Sequence, residues 1–568
     1  KVAAHQMEHN GTDESVEQAS VIWDELMHNS ESLDQWKKQM SSLTESIGEL
    51  ERSHHASISQ TNFSLDPEDW PSARIVAHKM LDASLDYIQS IRDQPVWQPI
   101  PDDVREVLQG EQLPEQGQPL SDVCHDVFTN IVPYTYNNAH PCLWGWANGE
   151  GTFGNVVADM ITAAINVNCI TSNHSASIVE RTIINWMRQI FGFPETDDGG
   201  LMVTGTSIGT IISIATARQR ALVNIRQDGL VNGSQLITYT SIETHGCVVK
   251  ALELLGFGSK SLHLVPVDNN FCIKIDDLKT AIQDDRDNGL IPFCIVGNAG
   301  TVNTGAFDNF LALSSIARTE NMWFHVDGAF GSWSILDPIR RHLMTGIELA
   351  DSLAFDFHKW LHCSYEAGCV LIRDGALLRS TFSTNHAYFS KSTTLDHMNN
   401  GSWFCDLGPD LSRSFRALRV WFTFKEHGTL KLGQKIVDNC EQAQYLVSLL
   451  EKHENIICII RPVLLNIVAF RFEPEELDKT DYELIDTFNN KIVIDMQMSG
   501  ISVPSTTRIR NRLYIRMCFV SHRTIREDLN VFIKTLLELY QIRLQIYMVE
   551  KLNNRNSSFF MKEEVSHE

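Results

Sequence analysis

The chain is short of positive charge. Across its 568 residues, 47 lysines and arginines stand against 71 aspartates and glutamates, giving a formal net charge of -24. So acidic a balance argues against a surface that binds a phosphate backbone or an anionic membrane, and neither nucleic acid nor membrane is expected as a partner. Long apolar runs are also missing. No stretch of eighteen apolar residues occurs, and the first thirty residues hold no continuous apolar segment, so neither a spanning helix nor an export signal is expected. The twelve cysteines are scattered singly, without a CxxC pair or a His/Cys cluster at zinc-like spacing. That usage suits reduced thiols and predicts a cytoplasmic protein with no metal.

What is present is a large apolar complement, 43% of the residues, in a chain too long for one ordinary domain. Residues 1–60 read as a polar N-terminal extension. Residues 61–138 carry apolar positions three and four apart, as in SARIVAHKMLDASLDYIQSI, and read as an N-terminal helical segment. Beyond residue 139 the pattern changes. Short apolar runs (LITYTS, PFCIVGN, MWFHVDGA, SLAFDFHKW, CVLIRDG) alternate with helical stretches such as 207–222 and 308–320. This predicts an α/β large domain over 139–430 with a mostly parallel sheet and crossover helices. A smaller C-terminal α+β domain is expected over 431–545. It has a helix near 431–452, strand-like CIIRPV, NIVAFRF, GISVPS and RLYIRMCF, and a closing helix around 526–540. A charged tail follows from 546.

In open α/β sheets functional groups collect at the carboxyl ends of strands. Three such ends stand out: Asp327 after FHV, His358-Lys359 after LAFDF, and the Glu243-Thr244-His245 segment after LITYTS. Singly, a lysine after a strand is usually a solvated end, Asp327 a helix cap, and His245 an ordinary histidine. Together they match one cofactor. Pyridoxal phosphate (PLP) needs an amine for an imine, an acid to keep its ring nitrogen protonated, and donors for its phosphate. Lys359 supplies the amine, and for that role its pKa has to fall. Asp327 supplies the acid, and the His245 imidazole suits stacking on the ring. The Gly/Ser/Thr turn at Gly205-Thr206-Ser207, between an apolar strand and a small-residue helix, offers phosphate donors at a helix N-terminus.

VDGAFG followed by DSLAFDFHKW, with HPCLWGW, NAGTVNTGAFD, LSRSFRALRVWF and RLYIRMCFVSHRTIREDL, resembles the group II PLP-dependent decarboxylases. That family includes aromatic-amino-acid, glutamate, cysteine-sulfinate and histidine decarboxylases, and the resemblance spans about residues 140–539. It implies a fold-type-I homodimer in which the N-terminal helices clasp the partner. It further implies that Lys359 carries the cofactor, Asp327 pairs with the pyridine nitrogen, and His245 stacks on one ring face with Ala329 against the other. Thr206, Ser207 and His358 would bind phosphate, Thr301 would place a hydroxyl near the cofactor, and Arg416 would lie at the substrate end. Tyr388, 29 positions after Lys359, falls where the family keeps a mobile-loop tyrosine that protonates the substrate carbon after carbon dioxide leaves; phenylalanine there goes with aldehyde formation.

Two positions depart from the family pattern. Asp356-Phe357 stands where Asn-Pro is usual, and Gly328 replaces the first alanine after Asp327. A carboxylate at 356 adds negative charge beside a dianion, which predicts that it points elsewhere or alters affinity. The reading that results is decarboxylation of an L-amino acid, aromatic first. The alternatives are an acidic substrate, an aldehyde-forming oxidase, and a catalytically silent paralogue that acts as a binding protein.

Overall fold

The computed structural model describes residues 64–170, 174–230, 235–384 and 402–564, with side chains to 553. The chain divides into two compact units. One comprises Trp144–Phe472 and Thr507–Thr524; the other holds the residues before Trp144, Glu473–Thr506 and the residues from Ile525 onward.

The first unit is built on a seven-stranded sheet. Its strands are β1 (Gly200–Val203), β2 (Leu236–Ser241), β3 (Leu262–Val265), β4 (Ile291–Asn298), β5 (Trp323–Asp327), β6 (Ser352–Asp356) and β7 (Gly368–Ile372). They lie in the order β1-β7-β6-β5-β4-β2-β3. Neighbours from β6 to β3 pair in parallel, and β7 alone runs against the sheet, pairing antiparallel with β6 and β1. Every residue of β1, β2, β5, β6 and β7 is buried, which is why these strands read as continuous apolar runs and not as alternating ones.

The helices of this unit are α1 (Phe153–Ile165), α2 (Ser175–Phe191), α3 (Thr206–Ala221), α4 (Cys247–Leu254), α5 (Ile275–Asp287), α6 (Phe310–Thr319), α7 (Gly375–Phe382) and α8 (Ala417–Leu450). Small residues let α3 lie close on the sheet. A Cβ on Gly209 would meet the Ala354 methyl at 2.9 Å. Its interior Ser213 and Thr216 hydroxyls donate to the carbonyls of Gly209 and Ile212 four residues back, so no polar group is stranded there. Asn309 and Asp374 cap α6 and α7 by accepting from the backbone N–H three residues on. The helix expected from 431 begins instead at Ala417, and Gly428, at φ 67°, breaks its regularity. A second sheet adds β8 (Ile457–Ile459), β9 (Ile467–Phe472), β10 (Ser505–Ile509) and β11 (Arg512–Cys518), in the order β10-β11-β9-β8. GISVPS was expected as a strand, but the strand starts only at Ser505, directly after Pro504, which has no N–H to donate to a ladder.

The other unit contains the helices Trp70–Gln89, Tyr482–Met498 and Arg526–Glu564. The first is capped by Asp69 and the second by Asp481. The closing helix expected over 526–540 runs on to Glu564. Among the described residues no helix is long and apolar enough to cross a membrane.

Two buried histidines predict how stability depends on pH. His140 lies with Nε2 3.1 Å from the Gln94 carbonyl oxygen, and His325, in β5, with Nδ1 2.9 Å from the Ser352 hydroxyl. Burial lowers each to about 4. The unfolded chain therefore binds more protons between the ordinary histidine value and about 4, and the stabilisation present at neutral pH is lost as pH falls through that window. Each histidine contributes a slope of about 1.4 kcal/mol per pH unit there. In urea titrations at pH 5 and 6, His140→Asn should lower the pH dependence by about that amount; an unchanged slope would refute the assignment.

Candidate active site

The carboxyl ends of β2, β4, β5 and β6 lie side by side, and the N-terminus of α3 opens beside β6. Asp327 ends β5 and is buried. Its Oδ1 accepts the Ala329 N–H at 3.1 Å, and its Oδ2 lies 3.6 Å from the Cys247 thiol at the start of α4. His245, exposed just before that helix, accepts the Cys247 N–H on Nδ1 at 3.1 Å. His245, Cys247 and Asp327 thus form one connected chain between β2 and β5.

Asp356 ends β6 and, of the two courses expected for it, does not point elsewhere but faces this site. Its Oδ1 accepts the Thr206 N–H at 2.7 Å, at the first turn of α3, and its Oδ2 lies 3.0 Å from Lys359 Nζ and 3.7 Å from His358 Nε2. The carboxylate therefore points into the helix terminus, where the positive end of the helix and the lysine offset its 2% exposure. The Asp356 N–H donates to the Ala329 carbonyl and the Trp333 indole N–H to the Asp356 carbonyl, which locks the end of β6 to the turn after β5.

Lys359 follows three residues later, its side chain 25% exposed. Burial alone would push its amine down, but the carboxylates of Asp356 and Asp327 outweigh that and hold the pKa above the ordinary lysine value. The expected fall is thus corrected: with two carboxylates facing it, Coulomb attraction exceeds desolvation and keeps the ammonium charged. His358 goes the other way, lowered by burial against the opposing pull of Asp356. Its Nδ1 lies 3.0 Å from the Ala367 carbonyl oxygen, and its ring packs at 4.3 Å on Tyr365.

The remaining expected residues divide. The Thr206 hydroxyl is buried with no hydrogen-bond partner, and Ser207 beside it is exposed. Ala329 is half-buried in the turn after Asp327. Thr301, just past β4, is buried with its hydroxyl 2.9 Å from that of Thr304, closing its own turn. Arg416 binds Glu366 Oε1 through Nε and Nη2 at 3.1 and 2.8 Å, while its Nη1 is buried and unpartnered. Tyr388 lies outside the described residues. Sequence reasoning missed Cys247, which looked like one more scattered thiol, and Tyr365. A signal for Cys247 existed, since it sits two residues after a histidine already singled out.

These residues fit PLP. An amine, a buried acid on the neighbouring strand and an orphaned hydroxyl at a helix N-terminus are the three things that cofactor demands. The discordant group is Asp356, which already takes the Thr206 N–H and leaves the Thr206 and Ser207 hydroxyls as donors. The thiol of Cys247 is pushed up by burial and by Asp327, so it stays protonated and donates to that carboxylate. Cys247→Ala is expected to weaken cofactor binding by about two- to tenfold, the value of one modest hydrogen bond. Fluorescence titration of the apoprotein checks this, and an unchanged Kd would remove the thiol from the account.

Residues 101–473 match the family model described as the pyridoxal-dependent decarboxylase conserved domain. The aromatic-L-amino-acid decarboxylase of Bacillus atrophaeus is 32% identical over 458 residues, covering 80% of this chain and 93% of that protein. A phenylacetaldehyde synthase of Arabidopsis thaliana is 25% identical over 77% of this chain and 91% of its own length. Among solved structures, Oryza sativa TDC with PLP and tryptamine superposes with a TM-score of 0.78 at 22% identity, covering 84% of this chain and 99% of that one. At that identity the likeness shows the fold, which is that of the fold-type-I PLP decarboxylases.

Proposed function

The chain belongs to the pyridoxal-dependent decarboxylase family and is a PLP-dependent amino-acid decarboxylase; from that premise we propose that it converts an aromatic L-amino acid to its amine and carbon dioxide. The observation that carries the site is the convergence of Lys359 and Asp327 from the ends of adjacent strands beside the unpartnered Thr206 hydroxyl. The aromatic choice rests on the relatives, foremost the Bacillus atrophaeus enzyme.

Bound PLP supplies a protonated ring that takes up the electron pair released when the carboxylate leaves. Lys359 would provide the amine that anchors it, its Nζ proton passing to the Asp356 carboxylate 3.0 Å away. Asp327 keeps the ring nitrogen charged, and the Cys247 thiol and Ala329 N–H hold that carboxylate in place. His245 would pack on one ring face and Ala329 on the other. Thr206, Ser207 and His358 hold the phosphate, His358 as a neutral imidazole, with the Thr301 turn closing the edge. Arg416 meets the substrate end, where its spare Nη1 is the available donor. The Tyr388 hydroxyl returns a proton to the substrate carbon, which favours amine over aldehyde.

In this reading residues 139–430 form the cofactor domain, 431–545 a small domain and 61–138 a dimerisation segment, and the enzyme is a cytoplasmic homodimer. Phe153, Met160 and Ile165 of α1 are exposed, and such an apolar row suits cover by a second copy. Reconstitution with PLP, followed by a panel of aromatic, acidic and basic L-amino acids with products identified by mass spectrometry, tests the assignment. Amine from aromatic substrates is expected. Amine from glutamate alone, or aldehyde with peroxide and ammonia, would overturn it.

A further inference from the structure

Behind the backbone of Lys359 lies a second cluster that the decarboxylase reading does not use. Glu150, His362 and His522 each present one ligand atom, and these three atoms lie within 4.8 Å of one another. They come from three separate places: the segment before α1, the turn after Lys359, and the segment that follows β11.

The state of His362 sets the cluster apart from an ordinary ion pair. It is 2% exposed, and neither of its ring nitrogens has a hydrogen-bond partner. Two buried polar atoms left unsatisfied are a standing cost to the fold that a bound ligand would relieve. It also adopts φ 57°, uncommon for a residue other than glycine, so the turn spends backbone energy to hold the ring in place. Its Nδ1 is 3.9 Å from Glu150 Oε1, and the His522 Nδ1 pairs closely with that same oxygen. The two imidazoles meet edge to face at 5.3 Å between centroids.

The other groups around the cluster orient its carboxylate. Glu150 Oε2 accepts from the Ser521 hydroxyl at 2.6 Å and the Arg523 guanidinium at 3.0 Å, and Oε1 accepts the His522 backbone N–H, so the carboxylate is oriented through both oxygens with Oε1 on the side of the histidine rings. Arg523 and the nearby Lys435 oppose a metal, but Lys435 is itself paired with Asp438. Two imidazoles and one carboxylate select a late first-row divalent ion over magnesium or calcium, which prefer all-oxygen shells. Ligands at about 2.0–2.1 Å in a tetrahedron stand about 3.4 Å apart, so the His362–Glu150 separation has to shorten by about half an ångström and the close His522–Glu150 pair has to open. His522, 30% exposed, gives an entry path and leaves a fourth position for solvent.

We propose that Glu150, His362 and His522 bind one Zn2+-class ion. Its place gives it a consequence for the lysine. Gly149, next to Glu150, packs so tightly against the turn that a Cβ there would come within 2.1 Å of the His358 carbonyl oxygen and 2.3 Å of that of Lys359. An ion held by Glu150 and His362 therefore ties down the peptide units on both sides of Lys359. The metal site stands independently of which amino acid the enzyme takes.

The test uses full-length protein without an affinity tag, equilibrated with Zn2+ or Co2+ and dialysed against metal-free buffer. One ion per chain is expected by mass spectrometry of the elements, falling at least tenfold in His362→Gln and in Glu150→Gln. Zinc-edge X-ray absorption of the wild-type protein should show a nitrogen and oxygen shell near 2.0–2.1 Å with imidazole scattering, a readout that needs no variant to fold. Retention of neither ion, equal retention in both variants, or a sulfur shell near 2.3 Å from cysteine binding would each overturn the proposal.

Discussion

Lys359→Ala is expected to lower decarboxylation by about 10³-fold or more and to abolish the yellow absorbance of the cofactor-bound protein. Among the described lysines, Lys359 is the one whose Nζ sits between Asp356 and Asp327, 3.0 Å from the first. The variant should still fold, since the side chain is a quarter exposed and the strand that carries it ends at Asp356. It will shift a neighbouring group, however. Without the ammonium, Asp356 keeps only the Thr206 N–H and His358 beside it, and His358 loses a cation that lowers its pKa, so His358 should titrate higher in the variant. Single-turnover assays with product detection check the first effect, and histidine NMR titration the second. Residual activity above about a tenth of wild type would show that another group anchors the cofactor.

Asp327→Asn should leave the cofactor bound and yellow but reduce kcat by about 10²- to 10⁴-fold. The amide is isosteric and keeps an oxygen for the Ala329 N–H, so the turn that joins β5 to the Asp356 N–H is preserved. What it loses is the charge that holds a proton on the ring nitrogen. A charge-assisted hydrogen bond of about 1.5–3 kcal/mol also disappears, and cofactor Kd should rise by roughly 10- to 150-fold. The split between the two effects is the diagnostic. A kcat within tenfold of wild type at saturating cofactor would mean that Asp327 is a structural acid, held for Cys247 and Ala329 alone.

Much of this site was legible in the chain because a fully buried parallel strand is a continuous apolar run, and the first polar residue after it is conspicuous. Asp327, Lys359 and His245 were singled out in that way, and the structure brings the ends that carry them together. The orientation of Asp356 was not, because a residue that ends a strand can turn either toward a helix terminus or away, and the sequence carries no sign of which N–H will be waiting. The pKa of Lys359 was misjudged for the same reason. Its direction depends on a balance between burial and two carboxylates, one of which was expected either to face elsewhere or to alter affinity. The local errors have local causes: Pro504 delayed β10, and Gly428 concealed the eleven residues of α8 that precede it.

The sequence by itself determined the alternation of buried strands and helices, the turn at Gly205-Thr206-Ser207, and the residue types that stand at the strand ends, since each depends on neighbours a few positions apart. Only the tertiary structure decided which strand ends lie side by side, that β7 runs against the rest, and that Glu150, His362 and His522 meet although more than 150 residues separate each from the next. Periodicity and turn chemistry act over a few residues, whereas the convergence of distant groups follows from how whole layers pack, and no spacing in the chain records it.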